Sequence, residues 1–421
     1  MNPRRPFDPA RFPFYYGYWI VVVSTLGILA SIPGQTMGVS VFNDALIEAT
    51  GLSRLSVSNA YLTGTLLSGL LLPLGGSLLD RLGARPTAMA ACLGVGISLL
   101  ALSHTPRMAT WGWAARFFGL AALFFSLRFS GQGMLTMVSR TMLGRWFEQL
   151  RGRMAGISGV FVGFGFGIAP QALHAWIVLA DGWQNAWRQI AVVIVLGMGS
   201  CAYFFFRSDP ESCGLQMDGH RTQTSTEQTA TTGGPSATRA EALRSLRFWA
   251  VSLALAFQAL IITGITFHIV DLGSKVGLDR AQAVAYFLPM SVLSTFIGLV
   301  GGIMADRLPI RPLLLAMMGG QALGLWAATD LAQLSWLFAI GLGISGGLFN
   351  PIATVAFPRF FGRTHLGAIA GVEMMLMVMG SALGPSWLAL VEGATASYAA
   401  GLLSMLALPC IGALLALLLR E

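Results

Sequence analysis

The ionisable side chain best placed for chemistry is that of Arg128, which lies about midway along a long apolar stretch. A cation at the centre of a membrane-spanning helix costs at least about 2.5–3.5 kcal/mol, so a partner has to compensate its charge. We therefore treat Arg128 as the leading candidate for anion binding or proton coupling. The alternative is a permanent bond to a carboxylate or to backbone carbonyls. Arg116, nearer the outer end of the same stretch, fits a vestibule or snorkelling charge.

Glu373 is the second ionisable group inside an apolar stretch, about seven residues from its start. A carboxyl group there could exchange a proton with a water-filled cavity. The alternative is a structural carboxylate paired with an arginine. His268 and Asp271 stand three residues apart and so share one face of a helix. They fit a pH-responsive outer gate or, as we favour, a polar cap at the membrane interface.

A few uncharged polar side chains also interrupt the apolar stretches. Each would either line a cavity or bond across helices, at roughly 0.6 kcal/mol. The candidates for substrate contact are Gln35, Gln132, Gln258 and Asn350.

The composition places these residues in a membrane protein. Of 421 residues, 55% are hydrophobic and 10% are charged, whereas a soluble domain carries roughly 25% charged residues. A span needs roughly 20 apolar residues, and this spacing predicts an all-α membrane protein with twelve transmembrane helices. The predicted spans are 17–41, 55–79, 86–104, 111–141, 153–177, 186–206, 248–271, 282–305, 312–329, 334–357, 366–390 and 396–419.

The basic residues are distributed unequally between the two predicted membrane faces. Of the 26, nineteen fall on the face that holds both termini and five on the other. The positive-inside rule therefore predicts cytoplasmic N- and C-termini. The four cysteines lie far apart with no metal-site spacing. We therefore expect no metal site and no cofactor. No Walker-type phosphate loop is present, so we expect no nucleotide, and the basic residues are scattered singly without forming a patch, so we expect no nucleic acid partner.

One charged hairpin occurs twice, at 75–86 and again at 301–312. Gly-Gly, Asp-Arg-Leu and Arg-Pro recur at a constant offset. Asp80, Arg81 and Arg85 are therefore equivalent in sequence to Asp306, Arg307 and Arg311. Both copies fall on the predicted cytoplasmic face. The sequence therefore predicts two parallel six-helix pseudo-repeats, at 1–207 and 245–421, joined by a polar cytoplasmic linker at 208–244.

The hairpin resembles the Gly-x-Leu-x-Asp-Arg-x-Gly-x-Arg signature of the major facilitator superfamily, with Pro309 replacing the glycine in the second copy. Phe14-Tyr15-Tyr16-Gly17-Tyr18-Trp19 and the Pro210-Glu211 segment resemble its oxalate/formate antiporter and monocarboxylate transporter branch. The resemblance implies that spans 1, 4, 7 and 10 line a cavity between two rocking bundles. It also implies conformational latches formed by the hairpin residues, with Asp80 capping span 11 and Asp306 capping span 5. The latch residues are Asp80, Arg81, Arg85, Asp306, Arg307 and Arg311. The alternative is an ordinary positive-inside loop with a turn glycine.

These observations lead us to expect a secondary active transporter in the inner membrane, not an enzyme. That branch would carry a basic residue deep in span 8 or 11, which this sequence lacks. A dianion would need two cations, so we expect a small monocarboxylate-type anion, or a neutral solute moved with a proton. The alternatives are an exporter of a hydrophobic or drug-like compound and a solute sensor that does not translocate.

Overall fold

The computed structural model describes residues 4–219 and 236–419. The threonine-rich part of the predicted linker, 220–235, therefore lies outside the described residues. The described chain is 86% helix and contains no strand. Ten helical runs are long and apolar enough to span a membrane. One of them, Ile310–Phe361, holds two spans, and the helix around Arg128 adds a further one, which gives the twelve-helix architecture expected from the sequence.

We label the spans α1–α12 in chain order; α4, α6 and α12 each combine consecutive helical segments. Their bounds are α1 Tyr16–Ala30, α2 Arg54–Leu82, α3 Ala84–Leu102, α4 Trp113–Arg128 with Phe129–Leu135 and Thr136–Trp146, α5 Arg151–Leu179, α6 Trp183–Val192 with Val193–Met198 and Gly199–Phe205, α7 Leu246–Lys275, α8 Phe287–Arg307, α9 Ile310–Ala327, α10 Leu331–Phe361, α11 Leu366–Thr395, and α12 Tyr398–Met405 with Ala407–Leu417.

The described chain divides into two compact units that follow the two halves of the sequence except at 149–160 and 365–375. Unit 1 comprises the described parts of Met1–Glu148, Phe161–Thr232 and His365–Met375. Unit 2 comprises the described parts of Gln149–Val160, Gly233–Thr364 and Leu376–Glu421. The start of α5 thus belongs to unit 2, and the start of α11 belongs to unit 1.

Several spans are less regular than the sequence predicted, among them the first, the fourth and the sixth, which has a π-segment at Val193–Met198. The first, expected as one helix over 17–41, ends at Ala30; a 3₁₀ turn at Ile32–Gly34 and a short helix at Thr36–Ser40 follow. Pro33 lies inside that turn and cannot donate to a helical ladder. The fourth span changes to π-helix at Phe129–Leu135, directly after Arg128. Such π-segments often occur at functional sites.

The two hairpins turn differently. Gly83, between α2 and α3, has φ +85°, which glycine adopts without the Cβ clash that other residues meet. In the second copy, Leu308 is extended at φ −98° and Pro309 precedes α9 at φ −55°. The second hairpin therefore reverses direction without a positive φ, which explains how it accommodates proline where the first has glycine.

Packing has the pattern expected of a protein in lipid. A cluster of aliphatic and aromatic side chains, including Ile261, Ile265, Phe338 and Leu342, is buried inside unit 2. Other large apolar side chains face outward. On α2, Leu70, Leu74 and Leu78 are 46–64% exposed. They follow one another at helical spacing, so this stripe provides a continuous lipid-facing surface.

Candidate functional site

The centre of unit 1 is built around Arg128, whose side chain is 1% exposed. Its Nη1 donates to the Gly34 carbonyl at 3.1 Å and to the Thr36 hydroxyl at 3.3 Å. Its guanidinium lies over the Tyr61 ring, 5.1 Å from the ring centroid. Three elements therefore hold this cation: the break after α1, the short helix that follows, and α2.

Close backbone approach allows this arrangement. A Cβ on Gly34 would lie 2.8 Å from the Leu127 carbonyl oxygen and 3.0 Å from the Gly131 Cα. A Cβ on Gly133 would lie within 2.4 Å of the Leu72 side chain. The glycines beside Arg128 therefore let α1 and α2 pack directly against the π-segment, so that the Gly34 carbonyl comes within reach of the guanidinium.

The charge of Arg128 is only partly compensated. Nε of Arg128 has no hydrogen-bond partner within the described chain, and no carboxylate of the described residues forms an ion pair with Arg128. Carbonyl and hydroxyl oxygens and an aromatic face supply only partial negative charge. This centre can therefore accept a negatively charged ligand.

Two of the predicted amides lie close to this centre. Gln35 follows Gly34 directly, and its Nε2 donates to Ser31 Oγ at 3.0 Å and to Thr136 Oγ1 at 3.5 Å. Gln132 is buried in the π-segment, and its backbone nitrogen would lie 3.0 Å from a Cβ on Gly34. Gln35 and Gln132 therefore lie on segments of unit 1 that pack closely beside Arg128, and Gln35 bonds to Ser31 and Thr136. Arg116, in contrast, donates to the Thr50 carbonyl at 2.9 Å near the start of α4.

Glu373 also lies in unit 1, on α11, and is 2% exposed. Its Oε1 has no hydrogen-bond partner in the part of the chain that the structure describes. Arg140 Nη1 contacts the sulfur of Met374, the residue after Glu373, at 3.6 Å. The structure thus places a buried carboxyl group near a basic side chain.

The remaining predicted residues, Gln258, His268 and Asn350, lie in unit 2. Gln258 is buried on α7, and its Oε1 has no partner among the described residues. A Cβ on Gly159 would lie 3.3 Å from Asn350 Nδ2, so this amide on α10 packs against α5. Ten residues separate Gln258 from His268 on the same helix, which is about 15 Å. The two side chains therefore do not share a site.

His268 forms a small polar cluster at the far end of α7. Its Nε2 lies 3.0 Å from the Pro385 carbonyl, and its Nδ1 lies 3.3 Å from the Tyr398 hydroxyl and 3.7 Å from Asp271 Oδ2. Because a carbonyl can only accept, the proton of a neutral His268 belongs on Nε2. The contacts join α7, α11 and α12, as a polar cap would.

The first hairpin makes specific contacts through Asp80. Its carboxylate accepts from the backbone nitrogens of Gly367 at 2.8 Å and Ala368 at 2.7 Å, at the start of α11. Arg145 Nη2 lies 2.5 Å from the same carboxylate, and both side chains are about 10% exposed. A carboxylate at a helix N-terminus compensates its unpaired amides and its positive dipole end. Asp80 therefore caps α11, the span that the resemblance implies.

Asp306 repeats this geometry in unit 2. Its two oxygens accept from the backbone nitrogens of Gly152 at 2.5 Å and Arg153 at 3.1 Å, at the start of α5. Its ion pair with Arg153 is longer, at 3.6 Å, and Arg153 is 38% exposed. The other hairpin arginines are placed differently: Arg85 is buried and donates to the Phe206 carbonyl, while Arg81, Arg307 and Arg311 are exposed.

Sequence reasoning missed two arginines that stabilise the hairpins. Arg145 pairs with Asp80, and Arg359 donates to the Leu308 carbonyl at 2.8 Å and to the Ala305 carbonyl at 2.5 Å, beside Asp306. A signal was present, because Arg145-Trp146-Phe147 returns as Arg359-Phe360-Phe361. This second repeated motif predicts equivalent arginines at the ends of α4 and α10.

Comparison of the sequence with known protein families identifies the family of this chain. The sequence profile of the Major Facilitator Superfamily matches residues 23–385. The chain belongs to the major facilitator superfamily. It is therefore a multi-pass membrane protein of a family of transporters. No curated protein matches the sequence significantly.

Several solved major facilitator structures share the fold. The E. coli fucose:proton symporter FucP superposes with a TM-score of 0.69 at 14% identity, covering 96% of this chain and 99% of that one. The proton:xylose symporter XylE gives 0.68 at 15% identity, covering 96% and 94%. The human organic anion transporter MFSD10 gives 0.63 at 15% identity, covering 94% and 98%. At these identities the likeness shows the fold alone.

Proposed function

We propose that this protein is a secondary active transporter that carries a small monocarboxylate-type anion across the inner membrane by alternating access. A proton moves with the anion, or a second anion moves in exchange. In this proposal both termini are cytoplasmic, residues 1–207 and 245–421 form the two moving bundles, and 208–244 links them. Spans α1, α4, α7 and α10 line the substrate pathway.

The buried, partly compensated charge of Arg128 is the observation that carries the proposal. A guanidinium in the membrane interior needs a counter-charge, and the described residues offer it two neutral oxygens and one aromatic ring. A carboxylate substrate would complete this set by accepting from two guanidinium nitrogens at once. Gln35 and Gln132 would then bond to the rest of the solute.

The charge count favours a monoanion over a dianion. Arg128 is the basic residue at the centre of the predicted spans, so a second negative charge on the substrate would be left without a partner. The residues 14–19 and 210–219 that resemble the monocarboxylate and oxalate/formate branch support the same substrate class.

A neutral solute moved with a proton is the second candidate. It is favoured by the buried carboxyl group of Glu373, which could carry the proton. In both candidates Asp80 and Asp306 act as latches, because their bonds to the starts of α11 and α5 would break when the inner face opens.

Uptake by purified protein in proteoliposomes tests the proposal. We expect saturable uptake of radiolabelled lactate, weaker uptake of oxalate and none of xylose, measured with and without an inward proton gradient. Xylose uptake without lactate uptake would favour the neutral-solute candidate. Solute binding without any flux, in either direction, would favour a sensor, and outward movement of a hydrophobic dye alone would favour an exporter.

Substitution of Arg128 links the activity to the site. Replacing a charged hydrogen-bond partner costs about 1.5–3 kcal/mol, so we expect Arg128→Gln to raise the KM for lactate at least tenfold. Arg128→Lys keeps the charge but loses the paired donors, and should fall between that variant and the wild type. Arg116→Gln is the matched control on the same helix and should transport normally. Wild-type KM in Arg128→Gln would refute the assignment.

A further inference from the structure

A cleft of about 500 Å³ opens at one end of unit 2, where α8 ends and α9 begins. Its walls include three arginines from three segments: Arg247 at the start of α7, Arg307 at the end of α8 and Arg359 near the end of α10. Leu308 and Phe360 add apolar wall. The cleft thus gathers basic side chains on which neither the substrate proposal nor the cap contacts depend.

The three guanidiniums are held in place to different degrees. Arg359 is anchored through the Leu308 and Ala305 carbonyls, and the Arg247 guanidinium lies over the Phe360 ring, 5.4 Å from its centroid. Arg307 is exposed, and within residues 4–219 and 236–419 it has neither a hydrogen-bond nor an ion-pair partner. Arginine matches phosphate geometry through paired N–H donors.

The carboxylate of Asp306 in the cleft wall repels a bound anion only weakly. Asp306 is 2% exposed, and both of its oxygens already accept from the backbone nitrogens of Gly152 and Arg153. Arg153 also pairs with it at 3.6 Å. Arg307, which is exposed and has no partner among the described residues, therefore leaves positive charge facing the opening.

The surface beside the cleft has the character of a lipid contact. Ile303 and Met304 precede Arg307 by four and three residues, so they share its helix face, and they are 43% and 38% exposed. Trp249 is 38% exposed at the start of α7, and its indole N–H donates to the Leu243 carbonyl. Interfacial tryptophans of this kind lie at the level of lipid headgroups.

We propose that this cleft binds the phosphate of an anionic membrane phospholipid. The phosphodiester contacts Arg247, Arg307 and Arg359, and the acyl chains lie along the apolar face of α8 at Ile303 and Met304. Basic pockets between helices at the membrane surface recognise such headgroups. The site is independent of the transported solute, so its test needs no transport assay.

Native mass spectrometry of the full-length protein in detergent tests the proposal, with phosphatidylglycerol and phosphatidylcholine titrated separately. We expect phosphatidylglycerol to bind at least tenfold more tightly, because a choline cation would face three arginines. One arginine near a membrane surface contributes about fivefold in affinity. Arg247→Gln and Arg307→Gln should therefore each weaken phosphatidylglycerol binding about fivefold and leave phosphatidylcholine binding unchanged.

Arg244→Gln is the matched control, because Arg244 is an exposed arginine three residues before Arg247 that does not line the cleft. Its affinity for phosphatidylglycerol should stay within twofold of wild type. An equal loss in Arg244→Gln would show diffuse surface charge and overturn the proposal. Unchanged binding in both cleft variants would overturn it too. Displacement of the lipid by excess inorganic phosphate would make a soluble phosphate the occupant instead.

Discussion

Glu373 and Arg128 are both almost fully buried, but their surroundings differ. Arg128 has oxygens and an aromatic ring around its guanidinium, whereas Oε1 of Glu373 has no partner among the described residues and Arg140 supplies the nearby charge. A buried carboxyl group can avoid the cost of an unpaired charge by binding a proton. Arg128 cannot release its proton in this way, because a guanidinium stays charged in proteins. The two residues therefore suit different tasks, one as proton carrier and one as anion partner.

We predict that Glu373→Gln removes the dependence of transport on the proton gradient. An amide keeps the shape of the side chain but cannot exchange a proton, so uptake should no longer rise as the external pH falls. Exchange of labelled for unlabelled lactate at equal pH should continue, since it needs no net proton movement. Both are measured in proteoliposomes over a pH series.

Glu392→Gln is the control for this prediction. Glu392 lies on the same helix as Glu373, is 30% exposed and pairs with Lys275 at 3.6 Å. Its loss should leave the pH dependence intact. If Glu373→Gln kept the wild-type pH profile and only lowered thermal stability, Glu373 would be a structural partner of Arg140 and not the coupling group.

The sequence identified the buried charged residues of unit 1, Arg128 and Glu373, but not the groups that contact them. The cost of a charge in a span singles out Arg128 and Glu373 from composition alone. The Gly34 carbonyl and the Tyr61 ring could not be foreseen, because any residue offers a carbonyl and their approach depends on how α1 and α2 pack. His268 and Asp271 were expected to share a helix face, but the Pro385 and Tyr398 contacts come from other helices.

The starts of α11 and α5 are each capped by one carboxylate, that of Asp80 and that of Asp306. The two carboxylates differ in their basic partners. Asp80 pairs with Arg145, which is 9% exposed, whereas Asp306 pairs with Arg153, which is 38% exposed. Removing one member of a buried pair leaves an uncompensated charge, but an exposed arginine can be hydrated instead. The two caps, equivalent in sequence, should therefore contribute unequally to stability.

We predict that Asp80→Asn lowers the free energy of unfolding by about 3–5 kcal/mol, because it leaves Arg145 buried without its counter-charge. Asp306→Asn should cost about 1–2 kcal/mol, the usual contribution of a helix cap. Thermal unfolding of the purified variants in one detergent compares them.

Asp44→Asn serves as the control, because Asp44 and Arg54 form a pair that is 84% and 73% exposed. Exposed pairs of this kind contribute at most about 1 kcal/mol. Equal thermal shifts in Asp80→Asn and Asp44→Asn would contradict the buried-pair argument. As a latch, Asp80 should also protect the start of α11, so Asp80→Asn should speed maleimide labelling of a cysteine placed at Ala368.

The helical irregularities escaped prediction for a physical reason. The polar residues of spans 1 and 4 do not follow one helix face, so no polar stripe marks where the helical period changes. Pro33 gave a local signal for the break after α1, although proline is often tolerated within membrane helices. The π-segment at Phe129–Leu135 has no such marker: Gly131 and Gly133 fit close packing as well as they fit a change of helix type.

At the scale of the whole molecule, sidedness follows from where the basic residues lie. Nineteen of the 26 fall on one predicted face, and the positive-inside rule assigns that face to the cytoplasm. The fold could be predicted because span length and the repeated hairpin are properties of sequence. The resemblance implied the contacts of Asp306 and Asp80, but it did not indicate that the start of α5 groups with unit 2 and the start of α11 with unit 1.

We predict that the two hairpins lie on the same, cytoplasmic side of the membrane. Leu82 and Leu308 are equivalent positions in the two copies and are 51% and 38% exposed, so cysteines placed there should react with a maleimide. In a background without native cysteines, Leu82→Cys and Leu308→Cys should both resist a membrane-impermeant maleimide in intact cells and react after permeabilisation. Trp111 is 49% exposed in the loop before α4, and Trp111→Cys should react in intact cells without permeabilisation. Labelling of Leu82→Cys and Leu308→Cys from opposite sides would mean that the hairpin repeat does not reflect two parallel six-helix halves, and alternating access between such halves would have to be given up.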